Sequence, residues 1–172
     1  MNLPEPCRTQ AAGHAPGAVQ RFTVGSLQEL SVLAAHLAAV LEPGRITLLH
    51  GGLGTGKTTL VREVCRVLGV PARRVVSPSF TLIQEYAGGR LPVVHIDLYR
   101  IDPGTSLDSL FLEEWLERAD SVAFIEWPDA ARPHLPAGSA EICIEFGESA
   151  TERILTLTGF PPLPPLTVPP AP

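Results

Sequence analysis

Apolar residues recur at helical spacing through Leu27, Leu30, Leu33, Ala34, Leu37 and Leu41, which predicts an amphipathic helix with a core-facing stripe. Its start is marked by Ser26-Leu27-Gln28-Glu29, a capping box in which serine satisfies a free N–H and glutamate reaches back. Pro43-Gly44 ends it. A second stripe, Leu60, Val61, Val64 and Leu68, predicts a helix from about Lys57 to Leu68, with Gly69 as its stop. Elsewhere the apolar runs are short or alternating. Arg21–Val24, Ile46–Leu49, Thr81–Tyr86, Leu91–Leu98, Val122–Ile125, Ala140–Phe146 and Arg153–Thr158 read as strands, the third and fourth joined by the hairpin turn Ala87-Gly88-Gly89-Arg90. Pro78 makes Val75–Thr81 extended or a loop, and Ser106 to Arg118 reads as helix in two pieces. Strands interleaved with helices point to the α/β class.

Within this pattern, the strand at Ile46–Leu49 runs into Gly51-Gly52-Leu53-Gly54-Thr55-Gly56-Lys57-Thr58, which fits the phosphate loop G-x-x-x-x-G-K-(S/T) at every fixed position. Glycines let the backbone turn its N–H groups toward phosphate oxygens, and the helix that follows presents the positive end of its dipole. Lys57 would reach the outer phosphates, and the Thr58 hydroxyl would ligate Mg²⁺. Lys57 is also the only lysine in the chain, the other twelve basic residues being arginine. A compact ammonium and a planar guanidinium are not interchangeable, so the one departure from arginine falls where the loop demands lysine.

Composition sharpens the picture by exclusion. The 172 residues, 45% hydrophobic with a net charge of -5, suit one globular domain and no surface built to neutralise many phosphates of a nucleic acid unaided. Residues 1–19 have no periodicity and are expected to be disordered; 20–159 form the folded domain. Residues 160–172 are a proline-rich tail, with seven prolines between Pro161 and Pro172, expected to be extended and mobile. Cys7, Cys65 and Cys143 lack CxxC or metal spacing and read as inert thiols of a reduced, cytoplasmic protein. There is no signal-peptide pattern and no 18-residue apolar run.

Two further strands end in a carboxylate, where ligands sit in open α/β sheets. Val93-Val94-His95-Ile96-Asp97 has the Walker-B form, and Val122-Ala123-Phe124-Ile125-Glu126 repeats it with glutamate. A carboxylate at a buried strand end needs a cation or hydrogen bonds, so Mg²⁺ and an attacking water are candidate partners; pairing with an arginine is the alternative. Trp127 could stack on a base or ribose or simply pack. Ser79 and Thr81 could meet the terminal phosphate as switch-loop hydroxyls do, or could serve a local turn. His95 reads as a satisfied buried histidine.

Together, LHGGLGTGKTT, SPSFTL, HIDLYR and FIEWPD, in this order, resemble the bacterial TsaE (YjeE) family over about residues 21 to 158. The resemblance implies a P-loop NTPase-like three-layer sandwich with a mixed, mainly parallel central sheet. It also implies ATP and Mg²⁺ as ligands and weak hydrolysis in isolation. The implied role is threonylcarbamoyl modification of adenosine beside the tRNA anticodon, with the transferase (ligase) component TsaD and its partner TsaB. Carried over by position, Gly51, Gly52, Leu53, Gly54, Thr55, Gly56, Lys57, Thr58 and Thr59 belong to the nucleotide site, with Ser79, Thr81 and Trp127 around it. Thr58, Asp97 and Glu126 are the metal candidates, and Glu126, Lys57 and Asp97 the catalytic ones. The chain departs from the family at Gly52, where Asp is usual, at Ser79, where Thr is commoner, and at Phe111, where Gly is usual. A small-molecule P-loop kinase and a non-hydrolysing ATP sensor are the rival readings. A GTPase using N-K-x-D is impossible, because the sole Asn is Asn2 and the sole Lys is in the loop.

Overall fold

A computed structural model describes residues 19–102 and 105–167. Most of the expected disordered segment (residues 1–18) and the end of the proline-rich tail (168–172) lie outside the described residues. The strands are β1 (Gln20–Val24), β2 (Ile46–His50), β3 (Ile83–Tyr86), β4 (Val93–Asp97), β5 (Val122–Glu126), β6 (Ala140–Phe146) and β7 (Arg153–Thr158). The helices are α1 (Leu27–Val40), α2 (Lys57–Val67) and α3 (Leu112–Leu116), with short 3₁₀ turns at Ala72–Arg74, Asp108–Leu110 and Pro128–His134. The strands form one sheet in the order β1-β7-β6-β2-β5-β4-β3. Its centre, β6-β2-β5-β4, is parallel, and antiparallel pairs close both edges.

Side chains alternate between the two faces along each strand. On one face Leu49, Phe124, Ile142 and Leu155 meet Leu33 and Leu37 of α1 and Leu60 and Val64 of α2. On the other, Ile46, Leu48, Ile96 and Ile125 are covered by Leu107, Leu112 and Ala131. The result is a three-layer α/β sandwich with its longer helices on one side. Each fully buried leucine contributes about 1.5–3 kcal/mol, so the stripe holds α1 and α2 in place. No described helix is long and apolar enough to cross a membrane.

Local signals mostly resolve as the sequence suggests. Ser26 Oγ accepts from Glu29 N at 3.2 Å, while the Glu29 carboxylate accepts from Gly25 N at 2.5 Å, one residue beyond the expected box. Gly69 ends α2 at φ 95°. The segment before Arg118 does split in two, and the break is Phe111, at φ 47°, ψ 42° and 63% exposed. A left-handed conformation costs a non-glycine residue about 1–2 kcal/mol, partly offset here because glycine loses about 0.5–1 kcal/mol more entropy on folding. Phe111→Gly is therefore expected to stabilise the fold by about 0.5–1 kcal/mol, a rise of roughly 1–4 °C in melting temperature. A thermal melt checks this; a lowered midpoint would mean that contacts of the ring outweigh the strain.

Two expectations need correction. The tail does not leave the domain at residue 160. Phe160 is 4% exposed, Gln20 Nε2 donates to Pro161 O at 3.0 Å and Leu163 N donates to Gln20 Oε1 at 2.6 Å. Leu163 and Leu166 pack against the core, so residues 160–166 lie docked on the domain. The cysteines also differ among themselves. Burial pushes the Cys65 thiol up to about 12, as expected of an inert core thiol, whereas Cys143 is disulfide-bonded.

Candidate functional site

Strand β2 delivers the chain to the phosphate loop at the end of the parallel sheet. Gly51 has φ 142°, and a Cβ there would meet Ile144 O at 2.4 Å, so the close approach to β6 requires glycine. Gly54 and Gly56 are left-handed, and a Cβ on either would enter open space, which leaves room above the loop. The loop is closed by Thr55 Oγ1 donating to Gly52 O at 3.0 Å, and Arg153 Nε donates to Thr55 O at 3.1 Å. Lys57 opens α2 and is only 4% exposed. Its ammonium donates to Gly51 O at 2.6 Å and Gly52 O at 2.9 Å and lies 4.0 Å from the centre of the Trp127 ring. Burial lowers the Lys57 pKa below the ordinary lysine value, while Glu126 and Asp97 pull it back up.

The two strand-end carboxylates are brought level by register. Parallel β4 and β5 pair Asp97 with Glu126, and β2 and β5 pair Leu49 with Glu126. Alternation from the buried Val93 and Phe124 turns His95, Asp97 and Glu126 to the α2 face. Asp97 Oδ2 accepts from Ser77 Oγ at 2.8 Å and Ser79 Oγ at 2.5 Å, and Oδ1 accepts from Tyr99 N at 3.0 Å. Glu126 Oε1 accepts from Thr58 Oγ1 at 2.7 Å and lies 2.8 Å from His95 Nε2.

Leu53, Gly54, Gly56, Lys57, Thr58, Thr59, Ser79, Asp97, Glu126 and Trp127 line one cleft of about 230 Å³. Gly51, Gly52 and Thr55 stand behind them and shape the loop, the carbonyls of Gly51 and Gly52 accepting from Lys57. Thr81 is not brought in. A tight turn closed by Leu82 N to Pro78 O at 2.6 Å, with Leu82 at φ 63°, leaves it exposed away from the cleft. Sequence reasoning placed Ser77 only within the switch-like SPSFTL loop, and missed Tyr99 as a lining residue and His95 as a neighbour of Glu126. Their signal was position alone: Ser77 shares the SPS loop with Ser79, and His95 lies two residues before Asp97 on the same strand face.

The donor set fits the ligands the motifs imply. Among the described residues, no three His, Cys, Asp or Glu side chains gather to hold a metal on their own. Thr58, Asp97 and Glu126 offer hard oxygen donors beside the loop, which suits Mg²⁺ shared with phosphate oxygens rather than caged by protein. The open space above Gly54 and Gly56, at the first turn of α2, suits a phosphate chain.

The family model described as "Threonylcarbamoyl adenosine biosynthesis protein TsaE" matches residues 24–155. The chain belongs to the TsaE family. The tRNA threonylcarbamoyladenosine biosynthesis protein TsaE of a Nostoc species is 38% identical over 120 residues, 68% of this chain and 72% of that protein. That of Bacillus subtilis is 35% identical over 133 residues, 77% of this chain and 82% of its own length. Among solved structures, Bacillus subtilis YdiB superimposes with a TM-score of 0.66 at 29% identity, covering 85% of this chain and 88% of the other. The TsaE match takes in the phosphate loop, both carboxylates and Trp127.

Proposed function

We propose that this TsaE-family chain binds and hydrolyses ATP in the biosynthesis of threonylcarbamoyladenosine in tRNA, working in the cytoplasm with TsaD and TsaB. The observation that carries this reading is the single cleft in which the ammonium of Lys57 and the hydroxyl of Thr58 face the Asp97 and Glu126 carboxylates. Lys57 and the loop amides would hold the phosphates; Thr58 and Asp97, with Glu126 beside them, would hold Mg²⁺, which neutralises phosphate charge when bound. Glu126 would orient a water and take its proton, since no described residue donates to its second oxygen, Oε2. Trp127, above Lys57, would flank the nucleotide. Positioning and charge stabilisation are the main contributions such a site makes.

The kinase alternative is disfavoured by the lining, which among the described residues contains no arginine to form a phosphate-covering lid. Among the described residues no finger-like arginine reaches the cleft either, which favours a site that partners complete or order. ATP hydrolysis at fixed Mg²⁺ is therefore expected to be slow for the chain alone and to rise at least about tenfold with TsaD and TsaB present, within the range that completion of such sites supplies. Turnover indifferent to the partners would count against the assembly, and phosphate appearing on a small acceptor would establish the kinase.

A further inference from the structure

Beside the cleft, His95 carries an arrangement the proposed roles do not use. Its side chain is fully buried on β4. Nε2 lies 2.8 Å from Glu126 Oε1, while Nδ1 is buried with no hydrogen-bond partner among the described residues. The ring of Tyr86 packs against it at 6.2 Å, but the Tyr86 hydroxyl is engaged with Val76, donating to its carbonyl at 2.7 Å. A histidine kept only for packing is expected to satisfy both nitrogens, because an orphaned buried polar atom costs free energy. Here one nitrogen has no partner among the described residues and the other serves a carboxylate.

The orphan also decides the tautomer. An unfilled lone pair at Nδ1 costs less than a buried N–H with nothing to receive it, so the ring proton belongs on Nε2, where it donates to Glu126. Two donors, His95 Nε2–H and Thr58 Oγ1–H, then converge on Oε1, and no described residue donates to Oε2. Thr58 is also a candidate metal ligand; His95 has no second task.

Resting on the reading of Glu126 given above, we propose that His95 is a positioning residue for that carboxylate: its Nε2–H anchors Oε1 so that Oε2 is the oxygen presented to water. The role is comparable to the partners that orient metal ligands from behind, whose loss typically lowers activity about 10–100-fold. His95 itself touches neither nucleotide nor water and exchanges no proton in this role.

Two measurements test it. In the nucleotide-free full-length chain, ¹H–¹⁵N correlation of the His95 ring is expected to show the Nε2–H tautomer alone, and Glu126→Ala to release it into a mixture. An Nδ1–H ring in the unaltered chain, or a ring indifferent to Glu126→Ala, would overturn the proposal whatever the catalytic data say. For turnover, His95→Leu is expected to lower the rate at saturating ATP by about 10–100-fold while ATP affinity stays within about threefold. His95→Gln, which keeps an N–H donor at similar reach, is expected to recover most of the rate. Equal rates for the two variants, or a matching loss of affinity, would leave His95 a packing residue. If the leucine variant does not fold, the ring tautomer and the glutamine variant decide. Glu126→Gln with unaltered turnover would defeat the reading of Glu126 itself. Loss of turnover there with full activity in His95→Leu would defeat only the present inference.

Discussion

Lys57→Ala is expected to weaken ATP binding by at least about 100-fold, because charge-assisted hydrogen bonds are worth about 1.5–3 kcal/mol each and an ammonium makes more than one to a phosphate chain. The structure adds that, among the described residues, Lys57 is the lone cation lining the cleft, set against the buried carboxylates of Asp97 and Glu126. Removing it would leave phosphates to be bound beside two acids with no ammonium between them. Lys57→Arg is expected to fail as well. The ammonium sits between the carbonyls of Gly51 and Gly52 and the face of Trp127, a space matched to a compact charge rather than a planar fork. Equilibrium titration with ATP checks both variants, alongside a thermal melt to show that the fold survives. Undiminished affinity in the alanine variant would remove the phosphate loop from the proposed function.

Glu126→Gln should separate binding from chemistry. Glutamine keeps the length of the side chain and an oxygen that can still accept from Thr58 or His95, but it cannot take a proton from water. Turnover is expected to fall by about 10²–10⁴-fold, the usual contribution of a positioned general base. ATP affinity should change little. Released phosphate and a binding isotherm on the same preparation give both numbers. Hydrolysis at the unaltered rate would disqualify Glu126 as base. Abolished hydrolysis with undiminished tRNA modification would instead favour a chain that senses ATP and need not hydrolyse it.

Much of this site was legible before any fold was known, for physical reasons that differ from part to part. The phosphate loop is local: its glycines, lysine and threonine act within one turn, so their spacing carries the geometry. Asp97 and Glu126 were legible because hydrophobic strands ending in acids mark the end of a sheet. That they stand level was not, since register between β4 and β5 is set by packing across the sheet and leaves no mark in either strand alone. His95 was read as a satisfied buried histidine, and burial and Nε2 agree; that its partner is Glu126 was hidden for the same reason, since that partner lies on the neighbouring strand. Thr81 was expected near the phosphates on proximity to Ser79, but the left-handed turn at Leu82 sends it outward. The tail was judged by its prolines, yet Gln20, far away in the chain, supplies the hydrogen bonds that hold it. Before α3, composition suggested helix, but the backbone at Phe111 is left-handed and breaks the segment in two.

The strand order also constrains when the molecule can become competent. Strand β2, which carries the phosphate loop, is flanked by β5 and β6, and both are encoded far downstream of it. Edge strand β1, first of the strands to leave the ribosome, must wait for β7, the last. A nascent chain that has already exposed GGLGTGKTT therefore holds a loop with no β5 to carry Glu126 and no β6 to press against Gly51. Pairings of such long sequence separation form slowly, because loop closure must precede the contacts that reward it. The proposed nucleotide loading thus needs β5 and β6 as well as the loop, and translation arrested before β5 should yield fragments that retain the motif yet ignore ATP.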